Sequence, residues 1–394
     1  MNAVNEHIVG ANAGRSRGHN RQVVLGRIRA AEQIGRAEIA RASGLSTQAV
    51  SNIIADLIGD GLIQEQGTRR PTRGLPVTQY ALNPLGGYAI GIEIRPDAIF
   101  GVVLDFCGNP VAQQRREVRV NSRADVISAA RDMNGALQQA IAADPDRVLG
   151  IGVVMPGPFG STGANSRASE LPILGEDAPQ DWLSEALGAP VLIENDANAA
   201  AISERVSGAA QGLESYAFVY FGTGLGLGIV HKGRLMAGAL GNAGEIGHIP
   251  VCDNGNMVVL EDVVSRLSLT AALRAGGITV NNVDDLAALY EAGNPIVMGW
   301  LERVVAPLST AVGIVENLFD PQTVILGGAM PDNILDHILA SLHLPARSVA
   351  NRPDRDIPRL LRGKSGRMTA TFGAAALVVN RAFVPEIVSQ PRAR

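Results

Sequence analysis

The chain has 394 residues, a formal charge of −4 and 46% hydrophobic residues. That length exceeds what one core usually supports, so two or three domains are expected. No apolar run approaches the roughly 20 residues of a membrane-spanning helix, and residues 1–20 lack the apolar centre of a signal peptide. Two cysteines, Cys107 and Cys252, are too few for a disulfide framework, which points to a cytoplasmic location.

Residues 1–19 read as a flexible tail. From residue 20 to 84 the pattern predicts a small DNA-binding domain. Val23, Val24, Ile28 and Ala31 recur at helical spacing, and a short second helix follows from Arg36 through Arg41. Gly44 supplies a tight turn and Ser46 an N-cap for a helix through Val50, Ile53, Ile54 and Leu57. Helix, glycine turn and capped helix make a helix-turn-helix. Its second helix offers Ser46, Thr47, Gln48, Ser51 and Asn52, short polar groups suited to base edges and phosphates. After Gly61 the pattern turns strand-like, with Arg69, Arg70 and Arg73 at the tip of a hairpin. A hairpin with an arginine tip is a wing, which usually meets phosphate or the minor groove. Residues 1–85 hold ten arginines, no lysine and six acidic residues, a net +4 on a chain whose total is −4. A basic head on an acidic body fits a protein whose head alone meets nucleic acid.

The body, residues 85–394, begins with a strand from Tyr88 to Ile94 and a hairpin partner from Ile99 to Leu104. A helix over roughly 123–142 precedes a strand from Val148 to Met155. A second half starts at Tyr216–Tyr220, passes a glycine turn at 222–228 into a strand at Ile229–Val230, and continues through a helix at about 295–318 to a strand at Thr323–Leu326. Strand, hairpin and helix occur in both halves, so two similar lobes around a cleft are expected. Between them lie E-N-D-A-N (194–198), G-T-G-L-G-L-G (222–228), G-E-I-G-H (244–248) and Leu260-Glu261. Glycines let backbone N–H groups approach an anion, and carboxylates accept paired hydrogen bonds from sugar hydroxyls.

With these motifs in this order, the chain resembles the ROK family of sugar kinases and sugar-responsive repressors, in the repressor form with a winged helix-turn-helix in front. The resemblance runs from Asn20 to about Phe383. It implies an α/β chain: an N-terminal winged helix-turn-helix, then a two-lobed actin-like, sugar-kinase (ribonuclease H-like) fold. It also implies that Asn195, Asp196, Glu245, His248 and Glu261 contact a sugar, with Asp196 at the base position of family kinases; His248 remains open to a purely structural role. Family kinases open this domain with D-x-G-x-T, where this chain has Glu93-Ile94-Arg95-Pro96-Asp97. A bulky side chain replaces glycine, proline removes a donor, and Asp97 brings negative charge toward phosphate. No kinase activity and no catalytic residue are therefore expected. Family members also carry C-x-C-G-x-x-G-C-L-E as a zinc segment; here it reads C-D-N-G-N-M-V-V-L-E from Cys252. Two of four ligands remain, so no metal and no cofactor are expected, with Met257–Leu260 restoring the packing. Many relatives have Asn near Glu170, which reads either as a solvated side chain or as a change to the ligand rim. The resulting expectation is a sugar-responsive repressor, with operator DNA and a small sugar or sugar derivative as partners, assembled as a homodimer or homotetramer. The alternative is an active ATP-dependent sugar kinase with a regulatory head.

Overall fold

The computed structural model describes residues 13–70, 76–95, 98–141, 145–157, 179–239 and 241–383. Contacts divide the chain into two units: the head, up to Gly87 together with the chain from Asn380, and the body, Tyr88–Val379.

In the head, α1 (Ala13–Ala31), β1 (Ile34–Gly35), α2 (Arg36–Ser43), α3 (Thr47–Gly59), β2 (Ile63–Arg69) and β3 (Val77–Leu82) follow one another. Gly44 ends α2 in the left-handed region at φ 70°, and the Ser46 hydroxyl accepts the Ala49 N–H at 3.2 Å to cap α3. Val24, Leu25 and Ile28 of α1 are buried, as are Ile39 of α2 and Val50, Ile54 and Leu57 of α3. β3 is the centre of an antiparallel sheet of order β1-β3-β2. One expectation fails here. Residues 13–19, read as a flexible tail, begin α1; Arg17 pairs with Asp56 at 2.6 Å and Arg21 with Asp60 at 2.5 Å, tying this helix to α3.

The body is two copies of one sheet plan. The first half contains β4 (Tyr88–Ile94), β5 (Ala98–Asp105), β6 (Pro110–Glu117), α4 (Arg123–Ile141), β7 (Val148–Val154), α5 (Pro179–Leu187), β8 (Val191–Glu194) and α6 (Asp196–Ser207). The second contains β9 (Tyr216–Phe221), β10 (Leu225–His231), β11 (Arg234–Leu235), β12 (Pro250–Asp253), β13 (Asn256–Val259), α7 (Leu260–Val263), α8 (Arg266–Ala275), α9 (Val283–Glu291), α10 (Pro295–Phe319), β14 (Val324–Gly328), α11 (Asp332–Ser341), β15 (Leu360–Arg362) and α12 (Thr369–Phe383). The sheets run β6-β5-β4-β7-β8 and β11-β10-β9-β14-β15. In each, an antiparallel meander continues into two parallel strands. α10 is long and apolar enough to cross a membrane, but Trp300, Leu301, Val304, Leu308 and Val312 are buried in the second lobe's core, so it is a core helix.

The lobes meet through α12 and α6, and glycines make that meeting possible. A Cβ at Gly91 of β4 or Gly152 of β7 would overlap α12 at Ala374 and Ala375. A Cβ at Gly373 of α12 would overlap the Ala199 carbonyl of α6, and one at Gly228 of β10 would come within 2.6 Å of the Ala197 oxygen. Sheet, helix, helix and sheet are thus stacked backbone to backbone. The same contact corrects the reading of 222–228 as one glycine turn. The turn ends at Gly224, and Gly226 and Gly228 lie in β10, where a Cβ would strike Ala197. They are glycines because of α6.

Gly373→Ala is expected to destabilise the protein by about 1–3 kcal/mol, the usual cost of overfilling a close-packed contact. Gly135→Ala in α4, where a Cβ meets nothing within 4 Å, should instead stabilise by roughly 0.5–1 kcal/mol through helix propensity. Thermal unfolding of the two variants beside the parent checks the opposite signs.

Candidate functional site

The E-N-D-A-N segment is the junction of β8 and α6. Asn195 is the N-cap of α6, its Oδ1 accepting the Asn198 N–H at 2.8 Å, and Asp196 is the first helical residue. A carboxylate there lies at the positive end of the helix dipole. Glu194 anchors the junction, its Oε1 accepting the Asn195 N–H at 2.9 Å and the Asn198 side-chain amide at 3.0 Å. Burial raises the Glu194 pKa, against the lowering effect of those two bonds.

The turn at 222–224 separates two carboxylates. A Cβ at Gly222 would lie 2.7 Å from the Tyr220 ring and 3.2 Å from Asp196 Oδ2. A Cβ at Gly224 would overlap Glu261 Oε2, which accepts the Leu225 N–H at 3.0 Å. Glycine at both points lets the turn run between Asp196 and Glu261. The G-E-I-G-H segment supplies the rest: Gly244, at φ 97°, is pressed against the Leu227 carbonyl, and Glu245 Oε2 lies 3.8 Å from His248 Nε2. Burial raises the Glu245 pKa; His248 opposes the shift and Glu261 adds to it. The structure therefore brings Glu245, His248 and Glu261 together, sets Asp196 across the glycine turn from Glu261, and commits the Asn195 carbonyl to capping.

Next to Asp196 is a small pocket, about 30 Å³ in volume, lined by Glu93, Arg95, Met155, Tyr220, Thr223 and Arg266, among others. Sequence reasoning read Arg95 only as an obstacle to phosphate. In the structure it is held in place. Its Nε donates to Glu93 Oε1 at 2.6 Å, its guanidinium lies 4.4 Å from the centre of the Phe100 ring, and Thr371 donates to the other Glu93 oxygen. Burial alone would lower the Arg95 pKa, but Glu93, Tyr220 and Asp196 together hold it above its ordinary value. Burial likewise drives the Tyr220 hydroxyl upward, reinforced by Asp196 and Glu93. Arg266 donates to the Thr223 hydroxyl at 3.0 Å. Tyr220 and Arg266 stood in no motif; only the pairing of β9 with β14 and the start of α8 place them here. Pro96, Asp97 and Glu170 lie outside the described residues.

Of the zinc segment's ligand positions this chain keeps His248 and Cys252. Among the described residues, no three His, Cys, Asp or Glu side chains converge as ligands. Cys252 sits exposed on β12 opposite Met257 of β13. Met257 is 69% exposed, so the expected apolar packing of 257–260 rests on Leu260, which is buried, and on Val258, which is partly buried against the same core.

On the head, Ser46, Thr47, Gln48 and Asn52 are exposed and Ser51 is half-buried. The Gln48 amide donates to Asn52 Oδ1 at 3.1 Å, and the Ser51 hydroxyl to the Thr47 carbonyl at 2.9 Å. Arg69 forms an ion pair with Glu38, the third residue of α2, whose other oxygen accepts the Gly35 N–H at 3.0 Å. That backbone bond and Arg69 lower the Glu38 pKa. Arg70 is exposed, and Arg73 lies outside the described residues.

A ROK family model matches residues 89–381; the chain belongs to the ROK family. It is 26% identical to the xylose repressor of Bacillus subtilis (strain 168), over 92% of this chain and 95% of that one. Among solved structures it is similar to a ROK family transcriptional regulator described as a homologue of the E. coli MLC protein. That likeness has a TM-score of 0.68 at 24% identity, over 94% of this chain and 97% of that one. It is also similar to the ROK hexokinase of Thermus thermophilus, at TM-score 0.57 and 26% identity, over 73% and 97% of the two chains.

Because the folded-state pKa of Glu194 is raised above its ordinary 4.5, the native protein binds this proton more tightly than the unfolded chain does. Ionising it therefore costs stability as pH rises from about 4.5 to the raised value, and nothing further above that. Glu194→Gln should gain stability relative to the parent across that window and hold a constant difference beyond it. Unfolding followed from pH 4 to 8 on both proteins checks the sign.

Proposed function

We propose that this protein is a sugar-responsive transcriptional repressor, working in the cytoplasm, with a kinase-like body that senses ligand and does not transfer phosphate. The observation that carries the reading is the two-way coverage with a xylose repressor, 92% of this chain and 95% of that one. The head supports it. α2, the left-handed Gly44, the Ser46 cap and α3, followed by the β2–β3 ribbon, have the order of a winged helix-turn-helix. Ser46, Thr47, Gln48, Ser51 and Asn52 face operator DNA, and Arg70 and Arg73 of the wing supply phosphate or minor-groove affinity. Arg69 joins them through its tie to Glu38.

In the body, Asn195, Asp196, Glu245, His248 and Glu261 grip the sugar hydroxyls. Glu245 and Glu261 lie together with His248, and carboxylates in such a group accept paired hydroxyl donors and discriminate strongly against a missing one. Arg95 argues against phosphoryl transfer. A guanidinium over Phe100 and bonded to Glu93 lines the pocket beside Asp196, at a position where family kinases have a glycine. The kinase reading keeps two supports, the turn at 222–224 and Asp196 beside it. One head makes few base contacts, so the working form is a homodimer or homotetramer on a two-fold operator.

Steady-state assays with ATP and common monosaccharides should show no sugar-dependent turnover; turnover abolished by Asp196→Asn would establish the kinase reading instead. For the sensor, an operator selected from a random DNA library is titrated with and without the sugar that raises the melting temperature. Sugar should shift operator affinity by roughly 5–150-fold, the usual range of coupling between sites. Release of DNA is the expected direction. Asp196→Ala and Glu245→Ala should remove the shift while leaving sugar-free operator affinity intact. Tight sugar binding with no change in operator affinity would mean that the body does not regulate the head.

A further inference from the structure

Four charged side chains stand among the described residues that line the pocket beside Asp196, and their charges balance. Among the described residues lining it, Arg95 and Arg266 carry positive charge, and Glu93 and Asp196 negative charge. Arg95 is the best determined of the four. Its hydrogen bond to Glu93 uses Nε; Thr371 fixes Glu93 from α12, and Phe100 supports the guanidinium plane from β5. An arginine built in this way holds its Nη fork rigidly, and such forks recognise oxygen acceptors with little ordering cost. Asp196, on the same pocket wall, accepts hydrogen bonds and donates none. The wall therefore offers an acceptor and a donor fork side by side. Adjacent hydroxyl groups of a sugar match that pair, one donating to Asp196 and its neighbour accepting from Arg95.

We infer that Arg95 is a ligand-contacting, specificity-determining residue of the sensor, and that the balanced pocket selects a neutral, unphosphorylated sugar over sugar acids and sugar phosphates. The inference rests on the sugar-sensing reading above and narrows it. A charged substituent in this pocket adds a negative charge beside Asp196, and the repulsion between like charges counts against it. A neutral polyol leaves the balance intact.

The test is calorimetric titration of the full-length protein with each neutral aldose, its uronic acid and its phosphate, paired so that only the charge differs. In the parent, a neutral sugar should bind more tightly than both charged partners. Glu93→Gln leaves the pocket with one excess positive charge, so the ratio of uronate to neutral affinity should rise by roughly fivefold or more. Arg95→Met reverses the imbalance and removes the fork; neutral-sugar affinity should fall at least roughly tenfold, and the ratio should move the other way. Arg95→Lys, which keeps charge without the fork, should restore selectivity against anions better than it restores affinity. Arg95→Met leaves the buried Glu93 carboxylate without its partner, so the double variant Glu93→Gln/Arg95→Met, neutral again, is measured beside it. It should fold as the parent does, recover the parental ratio and still bind weakly. A parent that prefers the phosphate or the uronate overturns the inference, as do unchanged ratios in both single variants; either result leaves sugar sensing standing. Failure of every sugar, neutral or charged, to bind the parent would overturn the inference and the sensor reading together.

Discussion

The backbone-to-backbone stack of β4 and β7 on α12, α12 on α6, and α6 on β10 is the constraint on which the body depends. Helices normally pack at 8–10 Å, held apart by their side chains. Here Gly373 against Ala199, and Gly228 against Ala197, leave no room for a Cβ. Such closeness costs conformational entropy at each glycine, and the return is position. α6 is brought so near β10 that its first residue, Asp196, reaches the turn between β9 and β10. α12 is brought so near β4 that Thr371 can hold Glu93. The pocket beside Asp196 is assembled by this seam.

Within that frame the pocket charges restrain one another. Glu93 is only 3% exposed, and a carboxylate so placed needs a partner; it has two, Arg95 and Thr371. Arg95 in turn is held between Glu93 and the Phe100 ring. Removing one partner of such a group strands the other, which is costlier than never having had the pair. Arg95 is thus one part of a wall that includes the end of β4, the aromatic ring of Phe100 on β5 and Thr371 of α12. A second buried pair, Glu316 with Arg359 at 2.6 Å and Ser348 on the same carboxylate, does comparable work between α10 and β15, away from the pocket.

Much of this was legible in the order of residues. Gly44 followed by Ser46 announced the turn and cap of the head because each meets a local backbone need, a positive φ and an orphan N–H, that few other residues meet. The strands of both halves showed through their apolar runs. E-N-D-A-N, the turn at 222–224 and G-E-I-G-H were recognisable because glycine spacing beside carboxylates is rarely accidental. The limits were equally physical. Gly226 and Gly228 looked like more of the same turn, since a sequence does not distinguish a glycine required by φ from one required by a neighbouring helix. The start of α1 was missed because residues 13–19 have no apolar periodicity; the ion pairs of Arg17 and Arg21 with α3 hold that end. Arg69 looked like a bare wing-tip charge, and only the folded head shows Glu38 against it.

What the residues determined by themselves are the features carried by short-range requirements: caps, turns, strand and helix periods, and the motif order that marks the ROK family. What only the tertiary structure decided is which distant groups share a space. Glu93 and Thr371 are 278 positions apart, and Arg95, Tyr220 and Arg266 come from three separate elements, yet they surround one pocket with Asp196. No local preference encodes that convergence. It follows from two sheets being drawn onto two central helices at glycine contacts, which places residues by where their elements end and not by their neighbours in the chain.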